Sequence, residues 1–399
     1  MNAVQDPLII IVGAGPAGLS TALHLAQAAP QLAARTLVLE KARHPRPKLC
    51  GGGLLPDAER VLSGLGLDAA EVPHIDVDWA RFEFNGMGFR LRPEVQRGYA
   101  FRVIRRAEFD AWLAGKARRQ GITLREATTV RAVQLTAEGV RVETDSGFLT
   151  TRVVVGADGS TGVVRRVVQR GDRNHTARLL EIVTVPRPER SFHTQSDSYF
   201  DFRFVPQGIQ GYTWDFPALD AGRAMRVRGI FDSRAAPAPS EIPLQQALAQ
   251  EFQLHGYRMD DYRLEGFPLH WFDPRSPLAC PGILLVGDAA GSDALFGEGI
   301  SIALGYGKIA AAALVDAFSR GDFSFRSYRS AVLHSGMGRS LSRRTWFARF
   351  FYRLRWPPIQ RLIWHWLGWL VTFIMNHFMI NWAARQDKLS GQRKIIPSG

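Results

Sequence analysis

Residues 8–18 read LIIIVGAGPAG, and this stretch decides the fold. The apolar run 8–12 is rich in β-branched residues, as befits a strand buried on both faces of a parallel sheet. Gly13 permits a sharp turn, and Gly15 lets a pyrophosphate approach the backbone. Gly18 lets the helix opening at Pro16 and Ala17 pack closely on the sheet. Phosphates would sit at the positive N-terminus of that helix. A second apolar run, 36–39, ends in Glu40, twenty-two residues after Gly18, where a carboxylate can accept a hydrogen bond from an adenosine ribose. Lys41 beside it is assigned to the same site, and Glu in place of Arg argues against a 2′-phosphate. The expectation is a Rossmann-like dinucleotide-binding lobe in an α/β protein.

Two later glycine-rich landmarks narrow the dinucleotide. VVVGADGS at 153–160 brings Asp158 and Gly159 to a strand end, and LLVGDAAG at 284–291 does the same for Gly287 and Asp288. A carboxylate at Asp288 can accept from ribitol hydroxyls, which a nicotinamide cofactor does not have. The following Phe296-Gly297-Glu298-Gly299-Ile300 opens a helix expected to run to about residue 318, whose N-terminus could stabilise negative charge on a reduced flavin ring. The three landmarks in this order predict a flavin dinucleotide.

Between them the pattern changes. Residues 45–56 form a Pro- and Gly-rich loop in which Cys50, Gly51, Gly52 and Gly53 allow backbone to lie against a flat ring. A helix opens at Arg106 and ends near Gly121, followed by strands at 122–124, 129–134, 140–144 and 148–155. Alternation at 199–204 and 225–231 marks half-buried antiparallel strands. Tyr212, Trp214 and Phe216 fall on one strand face, a row suited to the wall of a hydrophobic channel or to ordinary sheet core. The expected organisation is a dinucleotide lobe in three pieces (1–71, 101–175, 271–320), an inserted antiparallel-sheet substrate lobe (72–100, 176–270) and a C-terminal helical segment (321–399).

Composition sets the remaining bounds. The two cysteines, Cys50 and Cys280, cannot build a disulfide framework, and ten scattered histidines offer no metal-ligand spacing. The N-terminus lacks a basic region and cleavable apolar segment, so a cytoplasmic protein is expected. The net charge of +13 comes largely from residues 323–386, which hold ten arginines, no lysine, no Asp or Glu, and six of the ten tryptophans. Basic, Trp-rich sequence suits a membrane interface, and the apolar run 362–375 is shorter than the roughly 20 residues that span a bilayer. The expectation is peripheral contact of residues 340–385 with anionic lipid on the inner membrane face, with a dimer interface or packed helical lobe as the alternative. So much aliphatic surface disfavours nucleic acid.

The motifs together resemble the geranylgeranyl reductase family, within the flavoprotein superfamily of the aromatic-ring hydroxylases. Superfamily features are GAGPAG, Arg106-x-x-Phe109-Asp110, GADGS and GDAAG, spread over residues 8–320. Closer to the reductases are Lys48-Leu49-Cys50-Gly51-Gly52-Gly53, Tyr212-x-Trp214-x-Phe216-Pro217 and Gly297-Glu298-Gly299-Ile300. The resemblance implies FAD as cofactor, NADPH or reduced ferredoxin as electron donor, and saturation of isolated double bonds in a polyprenyl chain, with an isoprenoid as substrate. It implies Cys50 as the catalytic side chain beside the flavin and Arg106 as a contact to the FAD diphosphate or ribose. The sequence departs from the family at Ser292-Asp293-Ala294-Leu295-Phe296, where a more apolar, proline-containing run is usual. An FAD monooxygenase acting on an aromatic or quinone substrate is the alternative. A halogenase fits less well, since Tyr212 and Phe216 break its Trp-x-Trp-x-Ile-Pro row and no lysine lies between Lys48 and Lys116.

Overall fold

The computed structural model describes residues 7–92, 98–171, 175–186 and 197–385, so parts of the segments 1–71, 72–100, 101–175, 176–270 and 321–399 lie outside the described residues. The strand Ile9–Val12 sits inside a six-stranded sheet, flanked in parallel by Thr36–Leu39 on one side and Val153–Gly156 on the other. Ile283–Leu285 continues the sheet in parallel beyond Val153–Gly156, and Thr123–Arg125 does so beyond Thr36–Leu39. All four residues of Ile9–Val12 are buried, as its unbroken apolar pattern requires.

The helices Pro16–Ala28 and Ile300–Arg320 pack closely on one another. The Ser20 hydroxyl donates to the Leu304 carbonyl at 2.7 Å, and a Cβ at Gly307 would lie 2.3 Å from Ser20 Oγ, so this crossing needs glycine. Ile300–Arg320 is long and apolar enough to span a membrane, yet most of its apolar stretch is buried within the protein.

A second sheet has seven strands, in the order Glu265–His270, Thr176–Thr184, Arg223–Asp232, Gly211–Asp220, Ser198–Asp201, Ala80–Phe84 and Met87–Leu91. It is antiparallel except where Ser198–Asp201 runs parallel to Ala80–Phe84. Strands from 80–91 and 176–270 thus form one sheet although the chain returns to the dinucleotide lobe between them. A small sheet of Gly53–Leu54, Phe101–Ile104 and His74–Val77 carries the chain across.

Two predicted strands differ in the structure. The single run expected at 148–155 is two strands, Gly147–Thr151 and Val153–Gly156. Thr151 pairs antiparallel with Val140 while Val153 pairs parallel with Ile9, so the chain changes sheets at Arg152. The strand expected at 199–204 stops at Asp201. There the Asp201 carboxylate accepts from the Arg203 N–H at 2.9 Å and from its guanidinium, which turns the chain out of the sheet.

The C-terminal segment packs against the rest of the fold. Ala348, Tyr352, Trp364, Met375, Met379 and Ile380 belong to the apolar core of the seven-stranded sheet. The Tyr352 hydroxyl donates to the Leu295 carbonyl at 2.6 Å, and the Ala383 N–H donates to Asp57 at 2.9 Å. Its helix Gly336–Phe351 turns Met337, Leu341, Arg344 and Ala348 inward.

Candidate active site

A cavity of about 860 Å³ runs from the C-terminal ends of the parallel strands to the aromatic face of the seven-stranded sheet. Ligands bind at this edge of open α/β sheets because strand ends and helix N-termini converge there.

At its inner end the wall is glycine and positive charge. Gly13, at φ +106°, has no room for a side chain, since a Cβ would lie 2.3 Å from the Ala157 carbonyl oxygen. A Cβ at Gly15, by contrast, would meet nothing closer than the guanidinium groups of Arg46 at 3.6 Å and Arg106 at 3.9 Å, so this glycine faces open space rimmed by cations. Fully buried Asp110 holds both arginines, accepting two bonds from Arg106 at 2.8 and 2.9 Å and pairing with Arg46 at 3.4 Å. Burial works against the Arg106 charge, but Asp110 more than offsets it and keeps the guanidinium protonated. Lys48 adds a third cation; burial lowers its ammonium to about 8 against the pull of Asp288.

Glu40 lies at the end of its strand as predicted. Its carboxylate accepts from the Ala14 N–H at 2.9 Å and the Ala42 N–H at 3.1 Å, which fixes the first glycine turn and leaves lone pairs facing the cavity. Asp158 accepts from the Val164 N–H at 2.8 Å, and burial pushes it up to about 6. Burial also raises Asp288, opposed by Lys48 and Arg106.

The Cys50 loop forms the junction between the two ends. The Gly52 N–H donates to Cys50 Sγ at 3.4 Å, and burial raises the thiol, opposed by Arg106. A Cβ at Gly51 would stand 3.1 Å from the Phe216 ring and 3.2 Å from Trp214 Nε1, so the loop lies flat against the aromatic row. Tyr212, Trp214 and Phe216 are each at most 7% exposed and line the outer half of the cavity with Phe82 and Phe200. The Tyr212 hydroxyl donates to the Phe296 carbonyl, tying the row to the Gly297–Gly299 turn.

The structure gathers Gly13, Gly15, Pro16, Ala17, Glu40, Lys41, Cys50, Gly51, Gly52, Arg106, Asp158, Gly159, Asp288, Gly297, Gly299, Ile300, Tyr212, Trp214 and Phe216 around this one space. Gly18 and Gly287 stand behind the wall. A Cβ on Gly18 would lie 2.0 Å from the Gly13 carbonyl oxygen and one on Gly287 2.6 Å from Ala17 Cβ, so both serve close packing.

Sequence reading assigned no role to Arg46, Glu181 or Arg344, placed Lys48 and Glu298 only within family motifs, and marked Asp293 only as a departure from the family that could change the polarity above the flavin. Arg344, buried on the C-terminal helix, pairs with Asp293 at 3.0 Å and Glu298 at 2.5 Å and donates to the Met379 carbonyl at 2.7 Å. Burial raises Glu298 to about 7, with Arg344 opposing. Glu181, on the back of the Cys50 loop, is raised by burial to about 7, opposed by Arg105 and the Cys50 N–H. The available signal for Arg344 was an arginine on the inward stripe of its helix.

Residues of the inner end fit a dinucleotide. Asp158 Oδ1 there is a buried wall atom without a hydrogen-bond partner, and buried polar atoms are normally paired. Acceptors for a polyhydroxyl chain, cations for a pyrophosphate and glycines that admit it are all present.

The chain matches the FAD binding domain family over residues 7–208. It belongs to that family. FAD is therefore its cofactor, and the predicted α/β fold with an FAD-binding lobe is borne out. It is 28% identical over 338 residues to a menaquinone reductase of Mycolicibacterium smegmatis, covering 78% of this chain and 76% of that protein. It is also 28% identical over 326 residues to a geranylgeranyl diphosphate reductase of Rhodobacter capsulatus, covering 76% and 73%. A geranylgeranyl bacteriochlorophyll reductase-like structure from Thermoplasma acidophilum superposes with a TM-score of 0.71 at 19% identity, over 97% of this chain and 98% of that one. The resemblance to geranylgeranyl reductases drawn from the motifs is thus borne out. A halogenase and a p-nitrophenol 4-monooxygenase from Pseudomonas putida share the fold at TM-scores of 0.70 and 0.67 and identities of 17% and 19%, so fold alone leaves the reaction open.

Proposed function

We propose that this flavoprotein saturates carbon–carbon double bonds in a polyprenyl chain carried by a diphosphate, a lipid, a quinone or a pigment, using electrons from NADPH or reduced ferredoxin. The observation that carries the reading is the continuity of one cavity from the cation-rimmed glycine turns, past Cys50, to a wall of Tyr212, Trp214, Phe216, Phe82 and Phe200. An aromatic channel of this kind excludes water and holds an unfunctionalised chain by contact area. Reductase names among the relatives support the same reading.

FAD, when bound, supplies a hydride donor at the junction. The chain's own residues then have three tasks. Gly51 lets the loop lie against the aromatic row, and Gly52, on which a Cβ would lie 2.1 Å from the Ile104 carbonyl oxygen, lets it pack on the neighbouring strand, so that together they hold Cys50 at the cavity wall. The Cys50 thiol, raised by burial, holds its proton at Sγ on the cavity wall, where it can protonate the second alkene carbon. The Gly52 N–H, Arg106 and Lys48 stabilise the sulfur after it gives the proton up.

The test is anaerobic. The chemically reduced protein is mixed with a geranylgeranyl lipid and its absorbance followed. Return of the oxidised flavin spectrum upon adding substrate supports the reading. Reoxidation that occurs only when air is admitted, with oxygen incorporated into an aromatic or quinone substrate, replaces it with the monooxygenase alternative.

A further inference from the structure

We propose that the outer face of the C-terminal segment docks on an anionic phospholipid bilayer and that the cavity takes its substrate from that bilayer. The docking half stands on the surface alone, and the delivery half rests on the function proposed above.

The six tryptophans of this segment divide in the structure. Trp364 and Trp382 are buried, each 3% exposed, and belong to the core. Trp346, Trp356, Trp366 and Trp369 are 60 to 76% exposed. Phe350, Leu362, Phe373 and Phe378 join them, so that all the large hydrophobics exposed between residues 323 and 385 fall within 346–378. Isolated exposed apolar residues are ordinary, but a concentration of this size marks an interaction surface.

Two groups of these residues are linked in space. Trp346 stacks on Phe350 with ring centroids 5.7 Å apart, Arg343 lies 5.4 Å from the centre of the Phe378 ring, and Phe378 meets Phe373 at 6.4 Å. Trp369 and Phe373 stand one turn apart on the helix Gly368–Ile374. Around them Arg339, Arg343, Arg353 and Arg361 are exposed.

Charge selects the partner. No Asp or Glu occurs from residue 323 to 386, so no carboxylate within that stretch repels an anionic surface, and arginines beside exposed indole rings match the headgroup layer of such a bilayer. Among the described residues of the segment no helix is long enough to cross a bilayer, and the docking proposed is therefore along the surface.

The inner face of the same segment reaches the cavity. Met375 and Ile380 line it, while Phe373 and Phe378, only two residues from each, face outward. A polyprenyl chain leaving the lipid at this segment therefore meets the aromatic channel without crossing water.

The test uses the full FAD-loaded chain and vesicles of phosphatidylcholine with or without phosphatidylglycerol. Co-sedimentation with the phosphatidylglycerol vesicles, at least tenfold weaker with phosphatidylcholine alone and weakened by salt, is expected. The W366S/W369S/F373S variant, whose side chains lie outside the cavity, should lose at least tenfold in binding while keeping its flavin spectrum and circular dichroism. No sedimentation with anionic vesicles overturns docking, as does a variant that binds like the parent. A dimer in solution that the variant converts to monomer overturns it in favour of a second copy of the chain.

Delivery is read separately, by comparing turnover of a geranylgeranyl lipid embedded in anionic vesicles with turnover of the same lipid in detergent. The variant should lose the first and keep the second, and equal loss of both overturns delivery. Vesicle binding with no turnover in either form counts against the reductase reading and leaves docking intact.

Discussion

Replacing Arg344 with methionine strands two carboxylates inside the protein. Arg344 is 1% exposed, pairs with Asp293 and Glu298, and donates to the Met379 carbonyl. Removing one partner of a buried ion pair generally costs about 3 to 5 kcal/mol, because the remaining charge is left in a poor solvent. The two acids will not share that cost equally. Asp293 already accepts from the Leu295 and Phe296 N–H groups at 2.7 and 3.2 Å, which supports its charge. Glu298 is held to about 7 only with Arg344 opposing its burial, so in the variant it takes up a proton at a higher pH.

We therefore expect a loss of about 4 kcal/mol at pH 8. The sign of the pH dependence follows from the raised acid. A carboxyl with an elevated folded-state pKa favours the fold below its unfolded value of about 4.5 and loses that contribution as pH rises through the folded value. A further rise in the variant makes the deficit grow between pH 6 and pH 9, by about 1.4 kcal/mol for each tenfold weakening of the Glu298 acid. Urea denaturation of FAD-loaded parent and R344M at both pH values measures this, and adding E298Q to R344M should restore part of the loss at the higher pH. A deficit below about 1 kcal/mol at pH 8, or one that shrinks as pH rises, refutes the reasoning.

Other outcomes follow from single side chains. G15A should fold normally but lose at least tenfold in FAD affinity by fluorescence titration, because its Cβ has space within the protein and occupies the approach to the phosphates. G18A should yield little folded protein by circular dichroism, since its Cβ would lie 2.0 Å from a backbone oxygen. C50A should retain FAD and its reduction while alkene turnover falls by about 10² to 10⁴, the usual contribution of a positioned acid; unchanged turnover would remove the thiol from the chemistry. Glu181 is raised from 4.5 to about 7, so its contribution to stability is present below pH 4.5 and lost as pH rises through about 7. E181Q should remove about 3 kcal/mol of that pH-dependent loss, read from denaturation midpoints at pH 5 and pH 8.

Much of the site was legible because its glycines act locally. A turn at Gly13 or a helix start at Pro16 depends on neighbours a few residues away, and so do the strand before Asp288 and the period-two row of Tyr212, Trp214 and Phe216. The charges that work on those landmarks come from far along the chain. Arg344 reaches Asp293 across 51 positions, and the Cys50 N–H meets Glu181 from another lobe, so no local pattern displays either contact. Composition likewise gathered six tryptophans into one reading for the C-terminal segment. The inward stripe of its helices buries Trp364 and Trp382 and divides the segment into a core face and a surface face. The strand break at Arg152 was hidden for a related reason, since the choice between two sheets is made by partners distant in sequence.

The measurement that bears most directly on the proposed reaction is mass spectrometry of geranylgeranyl diphosphate and of a prenylated lipid extract after anaerobic incubation with the chemically reduced protein. Prenyl reduction predicts products heavier in steps of two hydrogen atoms, the number of steps giving the number of bonds saturated. Unchanged prenyl chains under these conditions, with an oxygen atom added to an aromatic or quinone substrate once air is admitted, would contradict it.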